Sequence, residues 1–257
     1  MGRVGWTVVA LGALALLAGG GVVAWVLLSD SGSEPASVAD AVAAFREATA
    51  GRSPEETPVP EGVYVYETEG SERNDALTGV THRYPERSTI TVTRDECGVQ
   101  MRWDVLEDRS TTWTFCVTAE GWTLESQDER HTFFGRTERT TYTCARSVLR
   151  PAGDPPGAEL ESTCSTGPVE ERSTLRVVGH ETLPAGSEEA DTVHLRRTSS
   201  FTGATRGETT HDVWLHRETG IPVQVSMSSR TTNDSPIGEV HYEEDVVLRL
   251  TSLDPRR

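Results

Sequence analysis

From Trp6 to Leu28 the chain carries no charged residue, an apolar run of 23 residues. Wound as a helix it is about 35 Å long, enough to cross a hydrocarbon core of about 30 Å. A long apolar run inserts as a helix because only internal hydrogen bonds satisfy its backbone in lipid. Trp6 and Trp25 stand near its ends, at the depth amphipathic rings prefer. Arg3 precedes the run and an acidic, Ser/Gly-rich stretch follows it, so the positive-inside rule places residues 1–5 in the cytoplasm and the rest of the chain outside. Cleavable signals have shorter apolar regions ending in an A-x-A-like site, and neither property fits here. The sequence therefore predicts an uncleaved signal anchor over 6–28, a linker over 29–36 and an extracytoplasmic domain over 37–255, at the plasma membrane.

The chain after the anchor holds all 40 acidic residues and 23 of the 24 basic ones, for a charge of −17. So acidic a surface repels nucleic acid and anionic headgroups, and neither is an expected partner. Every basic residue is arginine, which suits a GC-rich, actinobacterial source.

Cys97, Cys116, Cys144 and Cys164 all fall in the part placed outside, where an even set reads as two disulfides. The expected pairs are Cys97–Cys116 and Cys144–Cys164, each centred on a turn-like stretch. Strand parity opposes the first pair, since Val99, Met101 and Trp103 and then Trp113, Phe115 and Val117 are all odd positions. A regular hairpin would then put Cys97 and Cys116 on opposite faces. A bulge at Gly98 would resolve the conflict, and Cys116–Cys144 is the alternative.

Between linker-like stretches at 29–36 and 51–61 lies one helix. Ser37 caps it, Val38, Ala41, Val42, Phe45 and Ala48 form its apolar stripe, and Gly51 ends it. Beyond Gly62, alternating Thr, Val, Trp and Tyr predict strands at 63–68, 88–94, 98–105, 111–118, 121–127, 131–135 and 139–145. After a loop over 147–170, further strands are expected at 172–178, 191–200, 208–216, 221–229 and 238–252. The fold class is mainly β (α+β). The expected architecture is a large curved antiparallel sheet, a half-barrel, with the helix packed on its concave face. If the sheet encloses a cavity, Met101, Trp103, Trp113, Phe115, Val223, Val225 and Met227 are its expected lining.

Three stretches carry a family resemblance: Glu61-Gly62-Val63-Tyr64-Val65-Tyr66, Val177-Val178-Gly179-His180-Glu181, and Asp212 to Val223 with Trp214 and Thr219-Gly220-Ile221-Pro222. In this order they resemble the lipoprotein-localisation-factor (LolA-like) superfold over about residues 37–253. That group includes mycobacterial envelope lipid carriers and periplasmic stress-sensing regulators. Cys97-Gly98-Val99 and Trp113 to Cys116 are similar to blocks in actinobacterial membrane-anchored proteins. The resemblance implies an apolar cavity for acyl chains or lipoproteins beneath a half-barrel. The chain lacks the lipid-modified cysteine of the mycobacterial carriers.

No catalytic constellation emerges. There is no G-x-S-x-G elbow, no P-loop and no G-x-G-x-x-G. None of the seven histidines falls in H-E-x-x-H, and His211 and His216 differ by an odd number, which places them on opposite strand faces. They read as solvated residues, and Tyr242-Glu243-Glu244-Asp245 reads as a solvated turn rather than a calcium loop. No cofactor, metal or catalytic residue is assigned. The leading expectation is a tethered, non-enzymatic envelope protein that binds or senses a lipid or lipoprotein. A protein–protein interaction module of the envelope is the alternative, and a hydrolase comes third.

Overall fold

The computed structural model describes residues 35–52, 59–75, 79–107, 109–133, 136–235 and 238–257. The expected membrane helix, the N-terminus before it and most of the 29–36 linker lie outside these residues. Among the described residues no helix is long and apolar enough to cross a membrane.

Helix α1 spans Val38–Thr49, and the Ser37 side chain accepts a hydrogen bond from Asp40 N at 3.3 Å. Gly51 follows with φ +77, the left-handed geometry of a glycine cap. Thirteen strands succeed it: β1 (Gly62–Asn74), β2 (Val80–Arg83), β3 (Arg87–Arg94), β4 (Gly98–Leu106), β5 (Arg109–Thr118), β6 (Gly121–Phe133), β7 (Arg136–Pro151), β8 (Glu159–Thr166), β9 (Val169–Ala185), β10 (Glu188–Gly203), β11 (Thr205–His216), β12 (Pro222–Ser235) and β13 (Gly238–Leu250).

These strands form a closed barrel, where a half-barrel was expected. Neighbouring strands from β3 to β13 pair antiparallel in sequence order, and β1 pairs with both β3 and β13. The seam runs from Tyr66 opposite Leu250 to Asn74 opposite Tyr242. Twelve strands close the ring, and β2 pairs with the far half of β1. Closure removes the concave open face on which the helix was placed. Helix α1 instead packs against β1 and β3, with only Phe45 fully buried, and Arg46 donates to the Arg257 carbonyl oxygen at 2.5 Å. Both parities of β1 are buried from Gly62 to Tyr66.

The loop expected over 147–170 contains the end of β7 and all of β8. Strand β8 reads Glu-Leu-Glu-Ser-Thr-Cys-Ser-Thr, too polar to register as a strand, yet it pairs with β9 along its whole length. Cys144 and Cys164 are directly opposed across β7 and β8 and form one disulfide. Cys97 and Cys116 form the other. No bulge at Gly98 is needed, because β4 begins at Gly98 and Cys97 lies before the ladder, free of its alternation. Gly98 lets the strands approach, since a Cβ there would lie 2.3 Å from the Phe115 carbonyl oxygen.

The outer wall is polar. Arg172, Thr174 and Arg176 of β9 and Arg196 and Thr198 of β10 are exposed, while the alternate positions are buried. That is the inverse of a membrane-spanning barrel, whose outward band is apolar.

Candidate functional site

Twelve strands enclose more space than side chains readily fill, since about eight already make a barrel just wide enough to be packed solid. The buried apolar residues divide accordingly into two clusters. One joins Tyr64, Tyr66, Ile90, Met101, Trp103, Val246 and Leu248 with neighbours on β1, β3, β4, β12 and β13. The other is Leu175, Val177, Val193, Leu195 and Leu215 on the opposite wall. Between them lies an apolar cavity of about 150 Å³ touched by residues of both.

Strand register sets the height of every inward side chain. At one level Val177, Leu195, Val213, Val225 and Leu248 are successive partners across β9 to β13. Two residues along, the level is Leu175, Arg197, His211, Met227 and Val246. Two further, it is Ser173, Ser199, Thr209, Ser229 and Glu244, which meets Glu72 across the seam. The lumen is therefore apolar in one half and polar in the other, and Arg197 and His211 stand side by side at the boundary.

The polar half holds a buried ion network. Arg109 Nη2 donates to both carboxylate oxygens of Glu244, at 2.9 and 3.0 Å, and its Nη1 pairs with Glu72. The single Tyr242 hydroxyl hydrogen is shared between Glu72 and Glu244, each with a carboxylate oxygen 2.8 Å away. Tyr84 also bonds Glu244, and its ring lies under the Arg109 guanidinium at 5.3 Å. Charges this enclosed survive only when paired and hydrogen-bonded. Burial raises the Tyr84 and Tyr242 hydroxyls far above their usual range, against the pull of Arg109, so both stay protonated donors. Beside this network, burial raises the Glu129 carboxyl, although Gln127 and Arg109 counter it. Burial, with Arg197 alongside, lowers His211 to about 4, which leaves its imidazole neutral at physiological pH.

Of the expected lining residues, Met101, Trp103, Trp113, Phe115, Val225 and Met227 touch the cavity. Val223 is buried in the wall cluster instead. Trp122, the third tryptophan, also lines it and is covered by the Arg150 guanidinium at 6.0 Å. The tryptophan handles are satisfied: Trp103 Nε1 donates to Ser88 Oγ at 3.0 Å, and Trp113 Nε1 to Gln127 Oε1 at 3.1 Å. Four sequence readings are corrected. Tyr242 and Glu244 are not in a solvated turn but face the lumen from β13. Arg109, two residues before the strand expected at 111–118, opens β5 with its guanidinium buried. His211 faces the cavity rather than solvent. His194 lies on the outer wall but is buried there, stacked on Trp214 at 4.2 Å and bonded to Asp212 at 2.6 Å. The signal for the first three was the period-two continuation of each apolar strand face into polar residues, as in Val193, Leu195, Arg197, Ser199. Among the described residues no group of His, Cys, Asp and Glu is arranged to hold a metal ion.

No family model matches the chain, and neither does any curated protein. Among solved structures it is similar to the hypothetical lipoprotein YmcC from Escherichia coli K12, at 11% identity and a TM-score of 0.36, over 79% of this chain and 94% of that one.

Proposed function

We propose that the chain is a membrane-tethered, non-enzymatic extracytoplasmic barrel that binds a hydrophobic ligand, such as the acyl part of a lipid or lipoprotein, inside its lumen. One observation carries this reading: the apolar core is split into two walls with an apolar cavity of about 150 Å³ between them. An engineered apolar cavity of about that volume binds benzene-sized guests. A packed interior has few voids larger than a water molecule, so a cavity of this size is an exception that a ligand would account for. The LolA-like resemblance of the short motifs points the same way. The rival, a partner-binding module, would use an exposed sheet edge or loop, and pairing of β1 with β13 from Tyr66 to Asn74 covers the β13 edge that an open sheet would offer.

The test is native mass spectrometry of residues 35–257, which contain the helix, every strand and both disulfides, made in an oxidising compartment. Organic extraction and lipid analysis follow. A stoichiometric acyl-chain species supports the reading. A clean apo mass, with no uptake of offered envelope lipids, sinks it.

A further inference from the structure

Two polar side chains at the cavity wall are left incompletely partnered. Arg197 is only 8% exposed, and its contacts use two of its three nitrogens. Its Nε donates to Ser173 Oγ at 3.1 Å, and its Nη2 lies 2.8 Å from Glu171 Oε1, outside hydrogen-bond geometry. Its Nη1 has no partner among the described residues. His211, its direct neighbour across β10 and β11, makes no hydrogen bond among them from either ring nitrogen. Both residues line the cavity. Arg197 and His211 each keep donor capacity that no described protein group uses, and both face one apolar cavity, so an acceptor atom of a ligand lodged there would meet two adjacent donors.

We infer that the lumen binds an uncharged acyl ester, its chain in the apolar half and its carbonyl oxygen accepting hydrogen bonds from Arg197 Nη1 and a ring N–H of His211. This inference rests on the lumen-binding reading above and narrows it. The charge around the pair weighs against a charged head. Glu72 and Glu244 pair with Arg109, and Glu171 with Arg197, so three carboxylates stand against two guanidiniums and a further carboxylate adds to the excess. A cationic head would meet the Arg197 guanidinium. A neutral carbonyl suits both donors, and an imidazole held neutral keeps one N–H to give.

The experiment titrates residues 35–257 at neutral pH with hexane, methyl hexanoate and hexanoate, following the emission of the lining tryptophans Trp103, Trp113 and Trp122. The variant is Glu171→Gln with Arg197→Met, which removes both charges of the pair so that neither is stranded. His211→Phe is the second variant, whose fold does not depend on that pair. The ester should lose about fivefold to thirtyfold in affinity in the double variant and about fivefold in His211→Phe, on the scale of one or two lost hydrogen bonds. Hexane should change less than twofold in either. Ester affinity unchanged in whichever variant folds overturns the inference while leaving the cavity reading intact. So does hexanoate binding wild type as tightly as the ester. Failure of both hexane and ester to bind wild type removes the cavity reading and this inference with it.

Discussion

Arg109, at the start of β5, holds Glu244 of β13 through two hydrogen bonds from one nitrogen, at 2.9 and 3.0 Å, across the width of the barrel. With Glu72 on β1 it joins β5 to the seam where the barrel closes. Removing the cation leaves two carboxylates buried and uncompensated, and breaking such a pair costs about 3–5 kcal/mol. Arg109→Met should therefore lower the urea midpoint by an amount equivalent to at least about 3 kcal/mol. A loss under about 1 kcal/mol would mean that Glu72 and Glu244 take up protons instead, and that the network is dispensable to closure.

The neutral imidazole of His211 gives stability a pH signature. Its folded pKa, about 4, lies below the unfolded value of about 6.5, so between those limits the unfolded chain binds more protons. Stability then rises with pH across that window and is lost as pH falls from about 6.5 towards 4. The full separation corresponds to about 3 kcal/mol, and the partial exposure of His211 reduces it to about 2 kcal/mol. Glu129, whose carboxyl is raised, contributes with the opposite slope. The quantity to measure is accordingly the difference between wild type and His211→Phe in chemical denaturation at pH 7 and pH 4.5. Parallel curves would show that His211 is charged in the folded state.

The Cys144–Cys164 disulfide ties two strands whose direct pairing is short, only Thr143 to Ala145 against Thr163 to Ser165. A cross-link closing a loop of this length constrains the unfolded chain by about 3 kcal/mol. Replacing both cysteines by alanine should cost about 2–4 kcal/mol and raise amide exchange in β8 before other strands. Uniform exchange across the barrel would show that β8 is held by β9 alone.

At Gly220 the turn from β11 to β12 meets the cavity wall. Its φ is +72, and a Cβ would lie 2.4 Å from the Trp122 ring. Gly220→Ala should cost about 2–4 kcal/mol in thermal unfolding, combining a left-handed penalty with overpacking. It should also shift the emission of Trp122. A loss under about 1 kcal/mol would show that the indole moves aside freely.

Much of this architecture could be read from the chain, and the misses have physical causes. Period-two alternation located most strands, though it missed β2 and β8 and broke β6 at 127, and the Ser37 cap and Gly51 fixed α1 almost to the residue. Closure was not legible, because nothing local in Tyr66 to Asn74 says that it pairs with residues 242–250 at the far end of the domain. The helix was misplaced for the same reason, since its stripe signals burial without naming the surface. Nothing local marks Arg109, Glu244 or Arg197 as buried, and only the register that aligns inward positions shows them inside. Cys97 was judged by a strand alternation to which it does not belong.

The cavity offers the most direct test of function, because filling it separates binding from folding. Val213 stands at the middle of the apolar half, between Leu195 and Val225 and one level from Arg197. Val213→Phe places a ring where the cavity is open, and filling a void adds dispersion contacts that offset local strain. Its denaturation midpoint should therefore stay within about 1 kcal/mol of wild type. Uptake of acyl probes should fall at least tenfold, since the ring takes the space the chain requires. Had the void been a packing defect with no occupant, the same substitution would stabilise the barrel and leave probe binding, if any, unaltered. Retained uptake in a folded Val213→Phe protein would move the ligand to another surface of the barrel.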